Sequence, residues 1–377
     1  MFAIAASSFS RPSETFIRDH ARAIAPDETA IISHAPPPEE FDGAPALRGI
    51  DLGAWPGQSN PARKAVDMGR RYWRRYASPY LPDKDNQRVI DFLKQHNVSA
   101  LMCEYGPTGV MLAKPAQEAS VPLYVHFHGF DAAVMARAPF WPARYRRLFE
   151  SAAGVIGPSR FIANKLEALG CASEKLHVCA CGIDPDRFAP GHRASPRLVA
   201  VGRLVPKKAP HIAIKAFGLI ADQYPEARLD IIGDGPLAGR CRSLVKSLGL
   251  SERVFLHGRQ PHVFVSALMG EACAFVQHSV TTPLGDVEGL PVSILEAMAC
   301  GLPVISTRHS GIQEAVLEGE TGFLAAEEDV EGMAQAMASV LSDPARGLEM
   351  GDAGRARVLA HYTQEKSAAT LRAIMGL

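Results

Sequence analysis

No stretch of this 377-residue chain runs about 18 apolar residues together, so no transmembrane helix is expected. The N-terminal MFAIAASSFSRP has no basic residue ahead of its short apolar run, which argues against a secretory signal. The seven cysteines are odd in number and none forms a C-x-x-C pair, so neither a disulfide framework nor a structural zinc site is expected; buried thiols in a reducing cytosol are. Net charge is also missing. Forty Lys plus Arg balance forty Asp plus Glu, which excludes a protein that coats nucleic acid through bulk charge. There is no Gly-Lys-Ser or Gly-Lys-Thr phosphate loop, and in the run Gly233-Asp-Gly235-Pro-Leu-Ala-Gly239 the last glycine falls one position late for a dinucleotide fingerprint.

What is present is material for a core. With 47% hydrophobic residues the chain buries a sizeable interior, and its length favours two or three globular domains. In the second half, short β-branched runs at 197–202, 228–233, 253–258, 272–277 and 303–307 alternate with helical stretches such as Pro210–Tyr224 and Pro236–Leu248. The first half repeats this less regularly, with strands expected at 29–33, 99–104, 123–127 and 153–158, helices at Arg88–His96 and Phe161–Leu169, and a Pro-rich loop over 35–62. Such alternation predicts α/β architecture with parallel sheets wound on both faces: two Rossmann-like domains joined near Phe188–Pro196. The expected boundaries are 1–190, 191–360 and a C-terminal helical segment, 361–377, that packs back on the first domain.

Three constellations carry candidate chemistry. In residues 285–306, Glu288 and Glu296 stand E-x7-E around a Gly-Leu-Pro turn, with a helix starting near Pro291. The second carboxylate lies roughly 7 Å along that helix, too far for both to act on one carbon as a glycosidase pair. Separated carboxylates beside a helix N-terminus suit an extended, hydroxyl-rich anionic ligand; the structural alternative is two solvated glutamates. In residues 201–210, Arg203 and Lys208 follow a strand ending at Gly202, and cations at a helix start make physical sense against a diphosphate, in place of a divalent metal. Third is Val-His-Phe-His-Gly-Phe-Asp at 125–131, at a strand end where open parallel sheets bind ligands. One of its histidines is expected to face the ligand and the other the sheet, and an H-x-H metal site is not expected without a nearby third ligand. Asp184-Pro-Asp186 reads as a turn.

Taken together these residues resemble the retaining glycosyltransferases of family four, which have the GT-B fold: two Rossmann-like domains facing each other across a cleft. The best match is E-G-L-P-x-x-I-L-E-A-M-A-x-G-x-P-V-I at 288–305, followed by Ser-Gly-Ile-Gln-Glu-Ala-Val and Gly-Glu-Thr-Gly-Phe-Leu. The Gly202-Arg203 and Lys207-Lys208 turn, Ile-Ile-Gly-Asp-Gly-Pro at 231–236 and the His-Gly-Phe-Asp loop support it. The resemblance implies that the second half binds a nucleotide-diphosphate sugar and the first half the acceptor. Carried over by motif, Arg203 and Lys208 bind the diphosphate, Glu296 the ribose, and Glu288 the donor hexose. His128 lies near the anomeric carbon. Gly202, Gly233, Gly258 and Arg259 line the donor site with Gly289, Leu290 and Pro291. No metal and no cofactor are implied, and retention proceeds by front-face attack in which the departing diphosphate helps take the acceptor proton.

Two departures stand out. Ala209 occupies the position after the lysine where many members have Gly, and Ser-Arg-Pro-Ser-Glu-Thr-Phe-Ile at 10–17 replaces a Gly-Gly loop. The latter string is similar to the subgroup that builds bacterial exopolysaccharide of the colanic-acid or capsular type, which implies acceptor contacts from Ser13, Glu14 and Thr15 and from Glu104, Tyr105 and Gly106. Six basic residues among positions 63–76, interleaved with aromatics, and Arg144, Arg146 and Arg147 near Trp141 give the composition of an interfacial helix. They lead to an expectation of a cytoplasmic enzyme held peripherally on an anionic inner membrane, where a polyprenyl-diphosphate-linked saccharide would be an acceptor; a solvated basic face is the alternative. A nucleotide-sugar epimerase of similar fold and a non-catalytic nucleotide-sugar-binding protein are the rival functions.

Overall fold

A computed structural model describes residues 1–11, 14–52, 80–191 and 195–377. The chain forms two compact units, Met1–Cys179 with Ser367–Leu377, and Ala180–Lys366. The division falls at 179/180 rather than 190/191 because Ile183 and Phe188 are buried in the core of the second unit. The backbone of Ile183 also exchanges hydrogen bonds with Tyr362 and Gln364 in that unit.

The first unit is a seven-stranded sheet in which every pairing is parallel. Its strands are β1 (Phe2–Ala6), β2 (Thr29–Ser33), β3 (Ala46–Leu47), β4 (Ala100–Glu104), β5 (Leu123–His126), β6 (Gly154–Gly157) and β7 (Leu176–Val178), in the order β3-β2-β1-β4-β5-β6-β7. The second unit has β8 (Arg197–Val201), β9 (Arg228–Ile232), β10 (Val254–Gly258), β11 (Ala274–Val276), β12 (Val304–Thr307) and β13 (Gly322–Ala325), ordered β10-β9-β8-β11-β12-β13, again all parallel. In both sheets the strand order reverses beside the first strand of the unit, at β1/β4 and at β8/β11. Loops at the carboxyl ends of such strands diverge there and leave a crevice, which is where doubly wound sheets bind ligands.

Five consecutive buried residues, Phe2–Ala6, form the central strand β1. Both faces of a parallel strand are covered, so a continuous apolar run is its signature. The helices expected over 210–224 and 236–248 form as Pro210–Ile220 and Ala238–Ser247. Asp184-Pro-Asp186 opens a single 3-10 turn in which the Asp184 carboxylate accepts from Asp186 N–H.

The last helix, Gln364–Met375, returns to the first unit and buries Ala368, Leu371 and Met375 among Phe2, Ile4, Ile17 and Ile24. Arg372 anchors it by donating to the carbonyl of Ala23 at 2.7 Å. In the helix Trp141–Ser151 the aromatic side chains Trp141, Tyr145 and Phe149 are core residues, so this segment offers no apolar membrane-facing stripe; Arg146 and Arg147 are exposed on its other face. The basic stretch at 63–76 lies outside the described residues, as does Ser13. Among the described residues no helix is long and apolar enough to cross a membrane.

Leu371 is fully buried. Leu371→Ala should therefore lower the stability of the first unit by about 2–5 kcal/mol, read from urea denaturation followed by tryptophan fluorescence.

Candidate functional site

In the second unit the chemistry gathers at the β8/β11 switch point. Gly202 ends β8 with φ +154°, and a Cβ there would lie 2.8 Å from Cδ of Lys208, so the bare glycine leaves room for that side chain to cross the strand end. Lys208 Nζ is 3.2 Å from Glu288 Oε1 and donates to Gln277 Oε1 at 3.0 Å. Gln277 itself is held by Ser293 Oγ and Ser279 Oγ. Burial lowers the pKa of Lys208, and the Glu288 charge opposes that. Burial alone would raise Glu288, but the Lys208 and Lys207 ammonium groups more than offset it and hold the carboxyl down at about 2. The pair is therefore ionic at neutral pH.

Lys207 and Lys208 divide the work. Lys207 turns inward, donating to Asp286 Oδ1 at 3.2 Å and to the Val287 carbonyl at 3.1 Å, and so ties loop 285–291 to the end of β8. The turn that separates the two lysines from the next helix ends at Ala209, which is buried and left-handed at φ +32°. An L-residue pays roughly 1–2 kcal/mol for that conformation, which a glycine would not. Arg203 is exposed beside the pair, close enough to act on Lys208 electrostatically.

Pro291 is the N-cap of the helix Val292–Ala299, one residue short of being its first member, and Glu296 is buried in that helix. Gly289 accepts a hydrogen bond from Gly311 N–H, and Leu290 packs into the core, so the Gly-Leu-Pro turn is fixed from below. Gly233 approaches the end of β8 so closely that a Cβ would meet the Gly202 carbonyl oxygen at 2.0 Å. Its N–H donates to the Gly258 carbonyl at 2.7 Å, which brings the end of the edge strand β10, with exposed Arg259, to the same side of the sheet.

In the first unit the β1/β4 switch point holds a carboxylate surrounded by imidazoles. Glu104 is fully buried, with Oε1 2.7 Å from His20 Nδ1 and Oε2 2.9 Å from His128 Nε2. Burial would raise its pKa, but His20 and His128 outweigh that and hold it well below the usual carboxylate range. Glu104 has no exposed surface of its own, and of its two close partners His128 is the more exposed. Glu14 and Thr15 begin the helix after β1, with Glu14 paired to Arg11 at 3.1 Å. Tyr105, at φ +73°, carries the chain from β4 into the helix Gly106–Glu118, and its ring lies 4.7 Å from that of His128.

The two histidines of the H-x-H run do not point to opposite sides. Residues two apart on an extended chain share a face, and their ring centroids are 4.7 Å apart. The third ligand that was not expected is also there: ligand atoms of Glu104, His126 and His128 all lie within 4.8 Å of one another. His128, however, closes a capping box in which its ring accepts from the Asp131 N–H while the Asp131 carboxylate accepts from the His128 N–H. An ionised carboxylate only accepts, so His128 Nε2 carries a proton and donates it to Glu104. Asp131 also accepts from Gly106 N–H at 2.8 Å, joining the β4 and β5 loops.

Sequence reasoning gave no role to Gln277, Asp286, His309, Glu327 and His20, and took in Asp131 only as the last residue of the His-Gly-Phe-Asp loop. Gln277, His126 and His309 share a signal that was available, a polar residue at or just past the carboxyl end of a parallel strand; His20, on a helix face, had none.

Gly202→Ala meets only the end of a flexible lysine, but its φ of +154° is one an L-residue rarely adopts, so the variant should both displace Lys208 and carry backbone strain. The expected result is donor affinity reduced by about tenfold or more together with a lower melting temperature. Gly233→Ala meets backbone instead and should melt markedly lower; calorimetry and thermal melts of both variants check this.

Residues 183–357 match the family described as glycosyl transferases group 1, and residues 13–187 match Glycosyltransferase Family 4. The chain is 34% identical over 244 residues to the putative colanic acid biosynthesis glycosyltransferase WcaL of Escherichia coli, a match covering 63% of this chain and 60% of that relative. It is 29% identical over 316 residues, 80% of this chain and 82% of the relative, to a GDP-mannose-dependent phosphatidylinositol monomannoside mannosyltransferase of Mycolicibacterium smegmatis. Among solved structures, Anabaena HepE in complex with UDP superposes with a TM-score of 0.77 at 17% identity, covering 100% of both chains. Two doubly wound parallel units, the fold shared with that structure and the two family matches lead to one conclusion: this chain has the GT-B fold and carries a Glycosyltransferase Family 4 domain over residues 13–187 followed by a glycosyl transferases group 1 domain over residues 183–357.

Proposed function

We propose that this protein is a metal-independent, retaining glycosyltransferase that moves a hexose from a nucleotide-diphosphate sugar to a saccharide or lipid-linked saccharide during assembly of a cell-surface polysaccharide. The observation that carries this reading is the Lys208–Glu288 pair at the β8/β11 switch point. An ammonium has three donors. Gln277 takes one, Glu288 lies 3.2 Å away as the paired charge, and among the described residues Lys208 meets no further acceptor, which leaves donor capacity for a phosphate oxygen. A cation already fixed in a desolvated place needs no reorganisation when charge builds on a departing diphosphate, and that is where preorganised donors accelerate most. Glu288 serves twice in this reading, keeping Lys208 charged and offering its remaining lone pairs to sugar hydroxyls. Glu296 and Arg203 would hold the ribose and the diphosphate.

The likeness to WcaL supports a role in exopolysaccharide assembly, and the mannosyltransferase likeness supports a lipid-linked acceptor. The relatives differ in the base they name, GDP in one case and UDP in the other, so the donor is to be assigned by thermal-shift screening of nucleotide sugars.

Lys208→Ala and Glu288→Ala should each lower kcat/KM by about 100- to 1,000-fold while the fold survives, the cost of removing one preorganised donor to a developing negative charge. Near-normal transfer in both would overturn the site assignment. Rates in excess chelator should match those without it, and strict metal dependence would remove that part of the proposal. Consumption of donor to a new nucleotide sugar without any acceptor would favour an epimerase instead.

A further inference from the structure

Loop 285–291, which carries Glu288, is held from beneath by an imidazole that no motif singled out. His309 follows β12 and is buried. Its Nε2 lies 3.1 Å from the backbone nitrogen of Glu288, and its Nδ1 2.5 Å from Glu327 Oε1. A backbone N–H only donates, so Nε2 must present its lone pair and the ring proton must sit on Nδ1, facing the carboxylate. Glu327 is itself fixed, accepting from Thr281 N–H at 2.7 Å and from Thr281 Oγ at 3.2 Å.

We propose that His309 and Glu327 are positioning residues for the donor site: Glu327 keeps the His309 proton on Nδ1, and the lone pair this leaves on Nε2 holds the Glu288 amide, and through it the carboxylate that meets Lys208. This rests on the donor-site reading above. A second proton on His309 would set N–H against N–H and release the loop, so donor binding should fall in acid as the ring charges. The titratable groups facing the ring are Glu327, which favours the imidazolium, the Glu288 carboxylate, and His278. Burial pushes His278 down to about 4, so it is neutral at pH 7 and adds no charge.

The test measures kcat/KM against pH, donor affinity by calorimetry and melting temperature for the intact protein and five variants. His309→Asn keeps a donor where Nδ1 was but leaves the Glu288 N–H without an acceptor, and should lower kcat/KM by about 10- to 100-fold, mainly through donor affinity. His309→Gln restores an oxygen at the place of Nε2, should recover most of that loss, and should show no acid limb from this group. Glu327→Gln removes the charge that favours the imidazolium, so the acid limb should move to lower pH. An acid limb unmoved in both Gln variants, or donor affinity in His309→Asn equal to wild type, overturns the proposal. Lys208→Ala and Glu288→Ala separate the two readings: if they bind donor normally, the donor site itself is misassigned, whereas if they lose donor and His309→Asn does not, only the positioning role fails.

Discussion

A carboxylate taken out of water must be met by cations or N–H donors, because the desolvation of an unpaired ion costs several kcal/mol even after relaxation. Each unit of this protein places such a group at its switch point and builds the surroundings to satisfy it. In the second unit Glu288 is answered by two lysines from the β8 loop, and in the first Glu104 is answered by imidazoles from the helix after β1 and the loop after β5. Satisfying these ions demands that loops from different strands converge, so the parallel topology and the local ion pairs depend on each other. Both carboxyls titrate below their ordinary values. Their contribution to stability is thus complete above the unfolded carboxylate pKa, near 4.3, and is lost as pH falls toward the lowered folded values.

The backbone is shaped around these ions at some cost. Gly202 and Gly233 stand back to back where side chains would collide with Lys208 and with the Gly202 carbonyl, and Ala209 and Tyr105 hold positive φ without glycine's freedom. Residues in sparsely populated conformations cost about 1–3 kcal/mol each and persist where the surroundings over-determine them. Ala209 meets that condition, since its methyl packs with Ile212 and Val280 in a small cluster beneath the lysine turn. Burial of the methyl offsets part of the strain, a compromise a glycine would not need.

Periodicity made the second sheet readable because its strands are β-branched and bounded by glycine, as in Arg197–Gly202 and Arg228–Gly233. The strand β1 escaped for the opposite reason: Phe-Ala-Ile-Ala-Ala has few β-branched residues and no turn signal before it, so it reads as a bland apolar start although it is the sheet's centre. β13, Gly-Phe-Leu-Ala at an edge of the second sheet, has no β-branched residue to mark it. At the site, charged residues inside a long family string were legible, but the groups that orient them were not. Gln277, Asp131 and Glu327 work through hydrogen bonds to residues 25 to 69 positions away in the chain, or to backbone amides across a loop, and single-sequence spacing records none of that.

The same device appears in both units: a carboxylate fixes the proton on one imidazole nitrogen, and a backbone N–H occupies the other. His128 lies between Glu104 and the Asp131 amide, and His309 between Glu327 and the Glu288 amide. An imidazole so placed has both ring nitrogens engaged, one of them in a backbone contact, so its orientation is set by the loops that it joins. For His128 that contact is the cap of the helix Gly129–Ala133, and Asp131, whose burial raises its carboxyl pKa, also holds the β4 loop. Turning the His128 ring would therefore disturb two loops at once, which makes the loops after β4 and β5 a single piece of structure built around Glu104.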